Sequence, residues 1–146
     1  MPTRIVLADR VFVDTNIFLY AEDDDAPVKR DRAREVLAPL ISSGRAVVST
    51  QVLQEYFVVA TRKLGLPADR VRQRVAALAQ LDVVVVRPDL VLGAIDLHRL
   101  HSISFWDALV VRSASAAGCG RLLSEDLNAG QVMDGVVIVN PLIATK

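Results

Sequence analysis

The sequence contains few of the residues that build disulfide scaffolds and zinc sites. Among its 146 residues there is one cysteine, Cys119, and there are two histidines, His98 and His101. One cysteine cannot form an internal disulfide, and no partner lies beside it at the spacing of a zinc ligand pair. The composition therefore excludes a disulfide-stabilised fold, fits a reducing compartment and leaves Cys119 without a predicted role.

A long apolar run and an excess of one charge are also missing. No stretch approaches the roughly 18 apolar residues of a membrane span, and the start lacks a secretory signal, so we expect a cytoplasmic protein with no membrane contact. The 17 basic and 17 acidic side chains cancel, which argues against a strongly basic nucleic-acid binder. Sequestering four acids at a metal site would leave 17 basic against 13 acidic residues elsewhere.

The pattern that remains is typical of an α/β domain. With 52% apolar residues the chain can bury one core, so we expect a single domain over residues 1–146. Short β-branched runs alternate with stretches of helical period, which predicts a central, mostly parallel five-stranded sheet flanked by helices on both faces. The predicted strands are residues 11–13, 46–49, 83–86, 121–123 and 136–139. The predicted helices cover residues 28–41, 50–64, 89–100 and 104–117, with another after Pro67 and a kink or early stop at Pro39.

Four acids stand at one edge of this predicted sheet. Asp14 comes directly after the first strand, Glu55 lies in the second turn after the second strand, and Asp126 follows the fourth strand. The helix that carries Asp107 has to end where the fourth strand starts, so its N-terminus lies at the carboxyl edge. Because parallel sheets gather functional residues at that edge, all four carboxylates could meet there.

Each acid also has a purely structural explanation. Asp14 could cap the short helix that follows, Asp107 could complete a capping box that starts at Ser104, and Asp126 could be a turn residue. Glu55 could simply face solvent. One acid alone therefore indicates little, whereas the four together favour a shared site.

Carboxylates that share a half-buried cleft repel each other and need a cation. Without one, their pKa values would rise, because the site resists a charge of about −4. Oxygen ligands without histidine or cysteine suit Mg²⁺ or Mn²⁺, and one or two such ions can promote phosphodiester cleavage. The pattern therefore predicts metal-dependent phosphodiester chemistry with four catalytic metal ligands, Asp14, Glu55, Asp107 and Asp126.

Three polar neighbours could support these ligands. Thr15, Asn16 and Ser124 could donate hydrogen bonds to the carboxylates or to metal-bound water and so fix their orientation. Ordinary capping and turn formation is the alternative for all three.

Four segments occur in one order along nearly the whole chain: VDTNIFLYAED, STQVLQEYF, ISFWDALVVRSA and LLSEDLNAG. Together they resemble the PIN-domain ribonucleases, in particular the toxins of VapBC toxin–antitoxin pairs. The resemblance implies an endoribonuclease that uses Mg²⁺ or Mn²⁺, forms a homodimer and is inhibited by a VapB-like antitoxin. It also implies that the family's acidic quartet falls on Asp14, Glu55, Asp107 and Asp126, beside polar positions at Asn16 and Ser124.

Several charged residues near the predicted site have two interpretations. Glu125 could replace Asp126 as a ligand, although we expect a loop charge that points away. Residues 22–25 could recruit another ion, although such a run is typical of a solvated loop. Five basic residues of a predicted helical hairpin could position RNA phosphates or form a solvated face: Arg62, Lys63, Arg70, Arg72 and Arg74.

Two aromatic residues and two histidines could also belong to the site. Phe105 and Trp106 could stack on a base, but beside a helix start we expect them in the core. His98 and His101 could be general bases, but activation of water by a metal and carboxylates needs no histidine, so we expect surface or packing roles.

Three other functions fit parts of the pattern. The chain could be a non-catalytic module that binds RNA or protein, or a housekeeping RNA-processing nuclease. A phosphoacceptor protein would also place acids at this edge, but it needs a lysine beside the phosphoryl group, and only the C-terminal Lys146 closely follows a late strand. The four acids do not specify which RNA is cleaved.

Overall fold

The chain forms a central sheet with helices packed around it. The computed structural model describes residues 10–143. Its strands are β1 (Val11–Val13), β2 (Ala46–Ser49), β3 (Asp82–Val84), β4 (Arg121–Leu123), β5 (Val132–Met133) and β6 (Val136–Val139). Its helices are α1 (Thr15–Tyr20), α2 (Pro27–Ser42), α3 (Thr50–Arg62), α4 (Ala68–Leu78), α5 (Pro88–His101) and α6 (Phe105–Ala116). The alternation of strands and helices is the α/β pattern that the sequence predicted.

The sheet order is β3-β2-β1-β4-β6-β5. Every neighbouring pair is parallel except β5 and β6, which are antiparallel. The mostly parallel sheet is therefore confirmed, but the described residues form six strands and not five. The missed strand, β5, has only two residues, which is too short to show a period. Its signal was the turn at Asp134 and Gly135, both with positive φ, because an Asp-Gly pair between apolar residues is typical of a hairpin.

Two predicted element boundaries are wrong. The third strand covers Asp82–Val84 and not residues 83–86, because the chain has left the sheet by Val86, whose N–H donates to the Thr50 hydroxyl. Helix α2 does not stop at Pro39 but continues to Ser42. Pro39 is exposed, so water can satisfy the carbonyl that loses its partner, while Leu40 keeps the last turn packed against the core.

The centre of the core is β1, which lies between β2 and β4. All three of its residues are fully buried, so both faces of this strand are covered. This burial explains the unbroken apolar run Val11-Phe12-Val13, since a strand with one solvated face would alternate. Among residues 10–143, we find no helix that is both long and apolar enough to cross a bilayer.

The topology brings distant parts of the chain to one edge. Strands β1, β2 and β4 are adjacent and parallel, so the residues that follow them, including Asp14 and Ser124, emerge on the same side. The N–H of Asp14 still donates to the carbonyl of Leu123, at 2.9 Å, which fixes the end of β1 against the end of β4. Residues 110 positions apart in sequence therefore meet where the central strands end.

Candidate active site

Asp14 is a buried carboxylate at the end of the central strand. Its side chain is 5% exposed and it caps helix α1. One carboxylate oxygen, Oδ1, accepts from the Thr15 N–H at 2.8 Å, and the other, Oδ2, accepts from the Ser124 hydroxyl at 2.8 Å. The capping explanation is thus correct for Asp14, and it leaves the carboxylate facing the residues that follow β4.

The surroundings of Asp14 disfavour its negative charge. The pKa of this carboxyl is raised from 3.8 to about 6, chiefly by burial and to a smaller extent by the nearby carboxylates of Glu55 and Asp126. The hydrogen bonds from Ser124 and Thr15 act in the opposite direction but do not offset burial. Glu55 and Asp126 therefore each lie close enough to Asp14 for their charges to oppose its own. A positive charge between them would relieve that repulsion.

Glu55 is half-buried in the second turn of α3 and faces the same place. Its Oε1 accepts from the Thr15 hydroxyl at 2.9 Å. The backbone N–H of Thr15 donates to Asp14, so this one residue hydrogen-bonds two carboxylates through different groups. The solvent-facing alternative for Glu55 is therefore wrong.

Asp107 lies in the first turn of α6, whose N-terminus is capped by Ser104. The N–H of Asp107 donates to the Ser104 hydroxyl at 3.0 Å. Burial raises the pKa of the Asp107 carboxyl, a hydrogen bond with Ser104 lowers it, and the charge of Asp126 raises it. Asp107 therefore belongs both to a helix cap and to the group of acids that repel one another.

Asp126 is exposed and is held by two of the predicted polar neighbours. Its Oδ2 accepts from the Asn16 side-chain amide at 3.0 Å, and its N–H donates to the Ser124 hydroxyl at 3.2 Å. The Asn16 amide lies 3.4 Å from the same hydroxyl, and its oxygen accepts from the N–H of Glu125. Thr15, Asn16 and Ser124 thus each donate to at least one of the four carboxylates.

The four acids line one cleft, with a volume of about 670 Å³. They surround it without meeting at one point: within residues 10–143, no three acidic, histidine or cysteine side chains are close enough together to hold one ion. The donors are all carboxylate oxygens, which suit a hard divalent cation, and the raised pKa of Asp14 gives such a cation a reason to bind. The residues therefore fit Mg²⁺ or Mn²⁺ in their chemistry, provided that the side chains turn inward.

Glu125 lines the cleft but is engaged by other side chains. Its Oε2 accepts from the Lys29 ammonium at 2.6 Å, and Lys29 in turn lies 4.8 Å from the centre of the Tyr20 ring. A hydrogen bond with Glu125 is the main reason that the pKa of Tyr20 is raised. The expectation that Glu125 is a loop charge pointing away is therefore wrong, since it anchors a polar cluster at the edge of the cleft.

The acidic loop at residues 22–25 is also tied to basic side chains. Glu22 lies 2.8 Å from the Arg74 guanidinium and 4.0 Å from that of Arg70, and Asp24 lies 2.9 Å from Arg30. Asp23 lines the cleft. Glu22 thus links the end of α1 to α4, whereas Asp24 and Asp25 are exposed, as predicted for a solvated loop.

These ion pairs change the picture of the five basic residues proposed for RNA phosphates. Arg70 and Arg74 face Glu22, and Arg62 and Arg72 do not line the cleft. Among the described residues that line the cleft, Lys63 is the basic one. Of the five, only Lys63 lines the cleft that the four carboxylates line.

Trp106 and Gln51 also line the cleft; the sequence favoured the core over base stacking for Trp106, and no role was predicted for Gln51. The expectation of a core position for Trp106 is wrong, because its side chain is 61% exposed, whereas Phe105 is half-buried and packs against the core. Gln51 is buried, and its amide donates to the Trp106 carbonyl at 3.3 Å. The signal that could have found Gln51 is its position four residues before Glu55, on the same face of α3.

The chain belongs to the PIN domain family, which it matches over residues 11–133. Among solved structures, it resembles VapC20 of Mycobacterium tuberculosis, described as a toxin that cleaves the sarcin-ricin loop, with a TM-score of 0.61 and 22% identity over 77% of this chain and 86% of that one. It also resembles a chain of a toxin–antitoxin complex from Klebsiella pneumoniae, with a TM-score of 0.65 and 19% identity over 90% of this chain and 97% of that one. No curated protein matches the sequence. The fold predicted from the four sequence segments is thereby confirmed.

The raised pKa of Asp14 predicts how stability depends on pH in metal-free protein. The folded carboxyl keeps its proton up to about pH 6, whereas the unfolded one loses it near pH 3.8. Between these values the folded state binds more protons, so raising the pH lowers the free energy of unfolding. Relative to Asp14→Asn, the wild type should lose up to about 3 kcal/mol between pH 4 and pH 7, as measured by urea denaturation in EDTA.

The control for this comparison is Asp69→Asn, which removes one exposed carboxylate from α4. It should follow the wild type at both pH values. If the free energies of unfolding of the wild type and Asp14→Asn instead change equally with pH across this range, the pKa of Asp14 is not raised in the folded protein.

Proposed function

We propose that the chain is a metal-dependent endoribonuclease and the toxin of a type II toxin–antitoxin pair. The observation that supports this most is the group of four carboxylates around one cleft, in which burial and two acidic neighbours raise the pKa of Asp14. A protein gains nothing in stability from such mutual repulsion, so a cation that offsets it is the simplest reason for the arrangement. The membership of the PIN domain family agrees with this proposal.

Asp14, Glu55, Asp107 and Asp126 would hold one or two Mg²⁺ or Mn²⁺ ions. When bound, such ions supply positive charge that stabilises a phosphodiester in its transition state and make water more acidic. Asp14 is the most fixed of the four, since both its oxygens accept hydrogen bonds, whereas Asp126 is exposed and can move. We therefore assign Asp14 the role of the anchoring ligand.

Thr15, Asn16 and Ser124 would set the direction in which the carboxylate oxygens point. Ser124 donates to Asp14 and accepts from the N–H of Asp126, so it links the two acids directly. Thr15 links Asp14 to Glu55 in the same way. Removing such a partner usually weakens metal binding without abolishing it.

The partners follow from the same proposal. The substrate would be RNA, and a VapB-like antitoxin would bind and inhibit the protein; the resemblance to a toxin–antitoxin complex from Klebsiella pneumoniae supports an antitoxin partner. A homodimer would be the working form. A housekeeping RNA nuclease with the same chemistry would lack the antitoxin, and a non-catalytic binding module would lack the cleavage.

Cleavage should require both the metal and the quartet. Purified protein, free of any partner, should cut structured RNA in Mg²⁺ or Mn²⁺, and EDTA, Asp14→Asn or Asp107→Asn should each abolish the products seen on a denaturing gel. Asp69→Asn serves as the matched control and should cut like the wild type. Cleavage that persists in EDTA and in both variants, or that never occurs in either metal, would refute the metal-dependent nuclease.

Metal binding can be followed without any RNA. Titration calorimetry with Mn²⁺ should show binding to the wild type and none to Asp14→Asn, while Ser124→Ala should bind about 10- to 100-fold more weakly. Ser113→Ala is the control, because Ser113 is an equally buried serine on α6 whose hydroxyl has no partner among the described residues. If Ser124→Ala and Ser113→Ala bind Mn²⁺ with equal affinity, Ser124 does not support the metal ligands.

The toxin role predicts an effect on growth. Expression of the wild type alone should arrest a bacterial host, expression of Asp14→Asn should not, and co-expression of a small protein encoded next to this gene should restore growth. Growth counts after induction measure this. Arrest that no neighbouring gene product relieves would favour the housekeeping nuclease.

A further inference from the structure

We propose that Trp106 is a stacking platform for an unpaired nucleobase of the RNA substrate, placed beside the four carboxylates. The inference rests on the proposed ribonuclease function and adds to it how the substrate is held. It also names the class of RNA, because a base can lie on an indole ring only when it is unstacked from its neighbours, as in a loop or a bulge.

The position of Trp106 is the first reason for this proposal. Its side chain is 61% exposed, although tryptophan is usually well buried. Trp106 is the residue before Asp107 in the sequence, and both residues line the cleft. Ala108, directly after Asp107, is fully buried, so along α6 the core begins at Ala108. The indole therefore contributes to the cleft and not to the interior.

The indole is also held in place. The Phe105 ring meets it edge to face, with ring centres 5.1 Å apart and an angle of 75° between the planes. The buried amide of Gln51 donates to the Trp106 carbonyl and so ties the start of α6 to α3, which carries Glu55. A platform fixed in this way loses little conformational freedom when a base lies on it.

The charge of the cleft is the second reason. One basic residue, Lys63, and six acids are among the described residues that line it, the acids being Asp14, Asp23, Glu55, Asp107, Glu125 and Asp126. Even with Glu125 paired to Lys29, the side chains of the cleft give RNA phosphates little attraction of their own, so the proposed metal would act on the phosphate at the cleavage point alone. Stacking on an aromatic ring is worth about 1–3 kcal/mol per base and does not depend on charge, so it can hold a base beside that phosphate.

The test uses the fact that Trp106 is the one tryptophan of the chain. A single-stranded oligoribonucleotide added to the Asp14→Asn variant, which does not cut it, should quench the tryptophan emission along the binding curve. Fluorescence anisotropy of the same oligonucleotide, labelled with fluorescein, measures binding independently. Binding by anisotropy with unchanged tryptophan emission would overturn the proposal.

Substitutions in the active protein supply the second measurement. Trp106→Leu should raise the KM for a loop-containing RNA about 5- to 150-fold, and Trp106→Phe should recover most of this loss because a ring remains. An abasic nucleotide at the stacked position should abolish the difference between the wild type and Trp106→Leu. Leu100→Ala, at a side chain that is 75% exposed and outside the cleft, should leave KM unchanged.

The outcomes separate this inference from the nuclease itself. If the wild type does not cut RNA at all, the proposed function fails. If it cuts, and Trp106→Leu cuts with the same KM, only the stacking platform fails. A change in self-association of Trp106→Leu with unaltered cleavage, measured by light scattering, would place the indole in a contact between two copies of the chain and would also overturn the proposal.

Discussion

The burial of one carboxylate at the end of the central strand is the constraint on which the rest of the site depends. Asp14 is almost fully buried where it lines the cleft, and its charge is opposed by burial and by two acidic neighbours, which together hold its pKa near 6. The two hydrogen bonds from Thr15 and Ser124 hold the carboxylate in place but do not neutralise it. What remains is a fixed acceptor that favours a cation.

The structural and functional explanations of these acids turn out to be compatible. Asp14 caps α1, and Asp107 lies in the cap at the start of α6, yet both line the same cleft. A helix cap fixes the side chain at the point where the chain leaves the sheet. In a parallel sheet that point is the edge where the strands deliver their functional residues. Capping is therefore the means by which the fold positions the carboxylates.

The edge of the cleft carries its own charges, and these are paired. Glu22 faces Arg70 and Arg74, and Glu125 faces Lys29 beside the Tyr20 ring. These contacts occupy basic side chains near the cleft with acidic partners of the same chain. Partly exposed pairs of this kind add little to stability, but they define which charges are available to a ligand. The balance of the cleft is consequently acidic, with Lys63 as the basic residue among the described ones that line it.

The sequence by itself determined the alternation of helices with the five longer strands, because β-branched runs and helical periods are local. It also determined the edge to which the four acids belong, because parallel strands share one carboxyl edge. The contacts of Thr15, Asn16 and Ser124 with that quartet also agree with their positions beside the strand ends. Tertiary structure alone decided that Trp106 is exposed, that Arg74 turns to Glu22 and that Glu125 meets Lys29. The spacing of apolar residues predicts that a helix has an apolar face. Which charged side chains form ion pairs between elements depends on how far apart those elements lie in the folded chain.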